Sequence, residues 1–208
     1  MMKEQLQVML RLQDEINSVV NVDWRGQKFP WYRAIWVESA ELLDHYGWKW
    51  WKKQTPEMDQ VKLELVDIWH FGLSLELQHG SPEVVAERML TELNSAKPAA
   101  GDFREHLESF TLNTLASRSF DLVGFAQLMA DVDLEFADLY RRYVGKNVLN
   151  RFRQDNGYKD GSYVKTWQGR EDNEHLAELA ALLDTAAPDY SEQLYLALES
   201  RYQAAAVA

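Results

Sequence analysis

The sequence predicts an all-α protein, a helical bundle, and three observations carry that prediction. Apolar residues recur at helical spacing nearly everywhere, no stretch alternates convincingly in the manner of a strand, and the proline and glycine punctuation falls where helices would begin and end. The first helix is expected over about 3–18, where Leu6, Met9, Leu10 and Ile16 form a stripe, and the second over about 32–46. Thr55-Pro56-Glu57 and Gly80-Ser81-Pro82-Glu83 each supply a capping hydroxyl, a proline for the first helical position and an acid for the first turn. Helices should therefore start near 56 and 82, the former with Val61, Leu65, Ile68 and Leu75 on its buried face. Further helices are expected over about 103–116, a long one over about 121–154 closed by Asn156-Gly157, then about 171–184 and 189–204. The segment Asn94–Asp102 is the most linker-like, yet it is short and neither flank has the composition of an independent unit. Residues 1–208 are accordingly expected to form a single all-α domain.

Hydrophobic residues at 46% and aromatics at 12% of 208 residues suffice for a real core and are too many for a disordered acidic chain. With 22 Lys+Arg against 33 Asp+Glu the formal charge is −11, a mean field that repels nucleic acid and anionic membrane surfaces, so neither is an expected partner. No cysteine is present, which removes disulfides, thiolate metal sites and a cysteine nucleophile and leaves any metal to oxygen or imidazole ligands. The N-terminal MMKEQLQVMLRLQDEIN is interrupted by charges and amides, and no apolar run approaches the roughly 20 residues of a spanning helix. A soluble, cytoplasmic protein is expected.

Charge is unevenly spread. Residues 141–170 hold eight basic side chains, Arg141, Arg142, Lys146, Arg151, Arg153, Lys159, Lys165 and Arg170, against only Asp155 and Asp160. A second cationic stretch is Trp48-Lys49-Trp50-Trp51-Lys52-Lys53. Alone, such patches are ordinary solubilising charge and helix-dipole complementation.

The sharper signal is Glu38-Ser39-Ala40-Glu41 followed by Glu64-Leu65-Val66-Asp67. Spacing of three puts both carboxylates of each pair on one helix face. Glu64 and Asp67 share a stripe with Val61, Ile68 and Phe71, and Glu38 and Glu41 lie among Ala34, Ile35, Trp36, Val37 and Leu42, so all four acids are expected to face the core. A single pair of this kind is commonly two solvated acids. Two pairs on consecutive core-type helices packed antiparallel would bring four carboxylates together, which is costly unless cations neutralise them. All-oxygen ligands select hard ions, Mg²⁺ first and Mn²⁺ as a substitute. Carboxylates holding Mg²⁺, with Lys and Arg for phosphate oxygens, make a site for a nucleoside polyphosphate and for metal-assisted hydrolysis of a phosphoanhydride.

Three longer runs then carry a family resemblance: WVESAELLDHYGWKWWKKQ, ELVDIWHF, and YVGKNVLNRFRQDNGYKDGSYVKTWQGREDN. Together they resemble the dimeric, all-α dUTP diphosphatases of the MazG-type nucleotide pyrophosphohydrolase superfamily, over most of residues 9–174. The resemblance implies a four-helix catalytic core carrying the EXXE and EXXD pairs, hydrolysis of dUTP and commonly dUDP to dUMP with Mg²⁺, and a homodimer. It places Glu38, Glu41, Glu64 and Asp67 at the metal, with Glu38 orienting the attacking water. Gln13 and Asn17 resemble the amides that read the uracil edge; otherwise they are an exposed polar helix end. Trp51 is the ring expected at the nucleoside, with Trp48 and Trp50 competing for that role, and Lys49 and Lys52 are expected at phosphates. His70 and Phe71 lie one turn beyond Asp67, although a histidine there also suits a satisfied core position. Lys146, Asn147, Arg153 and Lys165 are expected to contact phosphate or sugar, with Asn173 a further contact, Asn147 preferred to Asn150, and Arg151 facing solvent. Gly157, Gly161 and Gly169 break the basic stretch into a loop able to close over bound nucleotide. The C-terminal run from Glu174 carries no family motif and is assigned to packing or dimer contacts.

A housecleaning pyrophosphohydrolase of the same superfamily, acting on another nucleoside triphosphate, would use the same carboxylates and lysines. A di-iron carboxylate bundle is disfavoured because only Asp67-x-x-His70 approaches the Glu-x-x-His pattern. A purely structural helical protein would leave four core-facing acids without a purpose.

Overall fold

The computed structural model describes residues 2–185, 187 and 189–206; residues 1, 186, 188, 207 and 208, which the single-domain expectation includes, lie outside the described residues. The fold is all-α. Its helices are α1 (Met2–Val20), α2 (Trp31–Tyr46), α3 (Met58–Glu76), α4 (Pro82–Ser95), α5 (Phe103–Ser117), α6 (Leu122–Asp131), α7 (Phe136–Asp155), α8 (Asp172–Leu182) and α9 (Tyr190–Ala206). A two-residue hairpin, β1 (Thr166–Trp167) and β2 (Arg170–Glu171), precedes α8. The chain divides into two compact units, Met1–Leu139 and Tyr140–Ala208, so the linker-like segment 94–102 lies inside the first unit.

In the first unit α3 is the central helix. Val61, Leu65, Val66, Ile68, Trp69, Gly72, Leu73 and Leu75 are buried on several of its faces, the composition of a helix enclosed by others. It packs chiefly on α2 and also on α1, while α4 lies on α1 and α6, and α5 lies on α2 and α6. Trp69 stacks on Phe125 at 5.1 Å and points its indole N–H at the Met9 sulfur, 3.3 Å away. Gly72 allows the Phe120 ring to close on α3, since a Cβ there would sit 2.7 Å from that ring.

Two boundaries differ from the sequence expectation. The helix after the tryptophan-rich loop starts at Met58 rather than near 56, and its capping residue is Glu57 with no side-chain cap. The expected long helix over 121–154 is two helices, α6 and α7, because the chain turns at Asp133 (φ +50°). There the Asp133 N–H donates to Ala130 O (3.3 Å) and the Leu134 N–H to Met129 O (2.9 Å), the paired bonds of a Schellman ending. Buried Val132 and Leu134 hold the turn against the core, and the Lys62 ammonium donates to the Asp133 carbonyl at 3.1 Å.

The second unit is built around aromatic rings. Phe152, Trp167, Tyr163 and Tyr202 meet at centroid distances of 4.9–6.4 Å, and Trp167 stacks on His175 at 5.1 Å, whose Nε2 lies 2.9 Å from the Trp167 carbonyl. Gln168 (φ +50°) and Gly169 (φ +79°) form the two-residue turn of the hairpin, so Gly169 serves this turn rather than a long loop. Helix α8 starts with a reciprocal cap between Glu171 and Glu174.

Candidate functional site

The site begins where α2 and α3 meet. His45, near the end of α2, contacts Glu57 and Glu64, whereas Glu38, two turns earlier, lies in the field of Asp67; the reversed order means that the two helices run antiparallel. That arrangement brings carboxylate oxygens of Glu38, Glu41 and Glu64 within 4.8 Å of one another. Asp67 stands close enough for its charge to act on both Glu38 and Glu64. Burial differs from the expectation of four core-facing acids. Glu64 is buried, Glu38 and Asp67 are half-buried, and Glu41 is exposed beside an open cavity of about 430 Å³ lined by Trp36, Val37, Ala40, Asp44 and His45. The pair on α2 thus straddles the edge of the interface, one carboxylate inside and one at the mouth.

Burial, and then the charges of Asp67, Glu41 and Glu64, push the Glu38 carboxyl up to about 7. Burial and the Asp67 charge raise Glu64 as well, while its hydrogen bond with Glu38 and the nearby His45 pull it down. Nε2 of His45 lies 3.7 Å from Glu64 Oε1 and Nδ1 lies 2.9 Å from Glu57 Oε2. Clustered oxygens that resist ionising together are the donor set a hard divalent cation relieves, so the residues fit such an ion.

This electrostatic strain gives a measurable pH dependence. Glu38, raised to about 7, and Glu64, raised in the same direction, keep protons in the folded chain that the unfolded chain releases near 4.5, so the stabilisation is complete below that pH and the Glu38 share is lost as pH rises through about 7. In chelator, the melting temperature should fall between pH 5.5 and 7.5 by several degrees more than in Glu38→Gln, and Mg²⁺ or Mn²⁺ should cancel the difference. A melting temperature that rises over this interval relative to Glu38→Gln would contradict the cluster's electrostatics.

Beyond the carboxylates, α1 and α3 share a polar network. Gln13 and Asn17 are only 4% and 5% exposed, which overturns the reading of an exposed polar helix end. The Gln13 amide N–H groups donate to Asn17 Oδ1 (3.1 Å) and Ser74 Oγ (3.0 Å), and Asn17 Nδ2 donates to the same Ser74 oxygen (2.9 Å). His70 is half-buried, with Nδ1 3.0 Å from Gln13 Oε1. Phe71 stacks on Trp31 at 6.2 Å, and Trp31 meets Phe29 and Trp24 edge-on, so a wall of rings borders these amides' helix.

The loop joining α2 to α3 is tied down at its base. Gly47 (φ +95°) ends α2, its carbonyl accepts from Arg104 Nε (2.7 Å), and Gln54 Oε1 accepts the Lys49 backbone N–H (2.7 Å). Above that base Trp51 meets Trp48 and Trp50 edge-on at 5.3 and 5.4 Å, and all three rings are exposed. Trp48 is anchored through its indole N–H to Asp44 (2.9 Å) and carries the Lys49 ammonium over its face, whereas Lys52 is exposed.

The remaining residues lie in the second unit. Asn147 is 5% exposed, with Nδ2 buried and unpaired, and Asn150 and Lys146 are half-buried. Arg153 directs Nε and Nη2 to the fully buried Asp172, both at 2.8 Å. Tyr163 donates its hydroxyl to the same carboxylate at 2.9 Å. Lys165 and Asn173 are exposed. Arg151 is exposed as expected, pairing with Asp155 and Glu192. His45, Ser74 and Asp172 were not among the expected site residues. His45 and Ser74 could have been found, since each lies four residues beyond a singled-out residue on the same helix face, Glu41 and His70.

Fold and site define an all-helical protein with a carboxylate cluster suited to a hard cation. A family model described as dUTPase matches residues 5–158, most of the chain. The chain therefore belongs to the dUTPase family, and its activity is that of a dUTP diphosphatase. The match runs across the division between the two units. No curated protein matches the chain. No described helix is long and apolar enough to cross a membrane.

Proposed function

We propose that the chain hydrolyses dUTP, and also dUDP, to dUMP with Mg²⁺ at Glu38, Glu41, Glu64 and Asp67, in the cytoplasm and as a homodimer acting as one functional domain. The observation that carries this reading is the convergence of three carboxylates from α2 and α3 in the field of a fourth. When bound, the cation supplies charge that polarises the phosphate oxygens. Glu64, buried and paired with Glu38, holds the cluster in place, and Glu41 completes it from the exposed side. Glu38 orients the attacking water and takes its proton, a task that suits a carboxyl raised to about 7. Lys49, Lys52, Lys146, Asn147, Lys165 and Asn173 contact phosphate and sugar, and Arg153, with two donors on Asp172, retains Nη1 for that purpose. Trp51, Phe71 and His70 flank the nucleoside, and Asn17 and Gln13 read the uracil edge.

Base choice tests the reading of the amides. Thymine adds a methyl and cytosine inverts the donor and acceptor pattern, so kcat/KM for dUTP should exceed that for dTTP and dCTP by at least about tenfold. Diphosphate release from dUTP, dTTP and dCTP, and orthophosphate release from dUDP, each measured with and without Mg²⁺, is the experiment. Comparable values for dUTP and dCTP would move the chain's specificity toward a broader pyrophosphohydrolase. The proposed loop closure is tested separately. A non-hydrolysable dUTP analogue with Mg²⁺ should protect residues of about 155–173 from proteolysis more than dUMP does, and sedimentation should give a dimer at micromolar concentration. Equal cleavage, or a monomer, would refute the corresponding part.

A further inference from the structure

We propose that Ser74 is a positioning residue that fixes the polarity of the Asn17 amide and so selects uracil over cytosine; this rests on the reading of Asn17 as a base contact. A serine hydroxyl has one proton and two acceptor positions. At Ser74 all three are engaged: Oγ donates to the His70 carbonyl (3.1 Å) and accepts from Gln13 Nε2 (3.0 Å) and Asn17 Nδ2 (2.9 Å). Ser74 is fully buried, so no water replaces a partner at low cost. With its proton on the His70 carbonyl, the oxygen can meet only the nitrogen ends of the two amides. Turning either amide over would set two unprotonated oxygens against each other inside the core. The opposite end of Gln13 is held as well, with Oε1 3.0 Å from His70 Nδ1.

Asn17 retains chemistry after these bonds. Its Nδ2 has a second N–H beyond the one given to Ser74, and its Oδ1 has a second lone pair beyond the one used by Gln13. A donor beside an acceptor complements a uracil carbonyl beside N3–H. The same amide turned over offers the acceptor first and then the donor, which complements the cytosine amino group beside its unprotonated N3. At one fixed amide position the two bases therefore demand opposite polarities, and Ser74 supplies the group that decides between them.

The test compares dUMP and dCMP affinities by calorimetry, and kcat/KM for dUTP and dCTP, in the full chain. Ser74→Ala removes the acceptor and should reduce the uracil preference by at least about tenfold, with dCMP affinity rising as dUMP affinity falls. Ser74→Thr keeps the hydroxyl and should hold the preference within about threefold, whatever its melting temperature. A merely structural role would weaken both nucleotides together and leave the ratio where it was. An unchanged ratio in Ser74→Ala, or equal loss in Ser74→Thr and Ser74→Ala, would overturn the role of Ser74. Asn17→Ala separates the premises: loss of preference there with none in Ser74→Ala removes the lock alone, and an intact preference in Asn17→Ala removes the base-reading role itself.

Discussion

Glu38→Gln should lower kcat for dUTP by at least about a hundredfold, close to 2.7 kcal/mol of transition-state stabilisation, with dUMP affinity changed by less than about threefold. Glutamine keeps the size of the side chain and its capacity to hydrogen-bond Glu64, but it cannot take a proton from water. The structure explains why this one acid should stand out. Glu41 is exposed at the cavity and Glu64 is buried against His45, whereas Glu38 is half-buried between them and feels all three other carboxylates. Its carboxyl is pushed up to about 7, where both protonation states are accessible near neutral pH. Removing one of the crowded charges should also make the chelated protein more stable at pH 7.5, so lost turnover would come with a raised melting temperature. Glu41→Gln should behave differently, weakening metal affinity with partial recovery at high Mg²⁺. Near-normal kcat in Glu38→Gln at saturating Mg²⁺ would show that the proton acceptor lies elsewhere.

The all-helical class and the convergence on α2 and α3 were legible because they rest on spacing. Glu38, Glu41, Glu64 and Asp67 follow the helical repeat, and packing two such helices antiparallel leaves little freedom in where the acids meet. Burial was harder to read, since a stripe edge one residue wide decides whether Glu41 faces the core or the cavity. The break between α6 and α7 was illegible for a chemical reason. Its left-handed residue is Asp133 rather than glycine, and the turn is stabilised by burying Val132 and Leu134, which in sequence read as more helix. The hairpin before α8 is too short for alternation to register, and only Gln168-Gly169 marked it. Partners remote in sequence were hidden altogether. Spacing places Ser74 on the His70 face, but nothing local to it indicates that it joins Gln13 and Asn17, 61 and 57 residues away.

The second large effect concerns Arg153. In sequence it is expected at phosphate or sugar, and in the structure it forms a two-bonded pair with Asp172, whose side chain is fully buried. Burial alone would push the Asp172 carboxyl up, yet the Arg153 guanidinium and the Tyr163 hydroxyl hold it below the ordinary carboxylate range. Its contribution to stability is therefore present above about pH 3.8 and is lost as pH falls through the depressed value. Asp172→Ala should destabilise the protein by about 3 kcal/mol, because it leaves a guanidinium that is 15% exposed without its counter-charge and a half-buried Tyr163 hydroxyl without its acceptor. The paired replacement Arg153→Met with Asp172→Leu should recover most of that loss, since it removes the need for compensation instead of one compensating partner. Denaturant unfolding of the two variants, with kcat/KM measured beside it, separates packing from substrate contact. If Arg153 serves the fold alone, the paired variant keeps near-normal turnover. If Nη1 also meets phosphate, the paired variant is stable but its KM for dUTP rises while Asp172→Ala, corrected for unfolded protein, stays close to wild type. A loss below about 1 kcal/mol in Asp172→Ala would mean that the pair behaves like an exposed one, with its bonds exchanged for water at little cost.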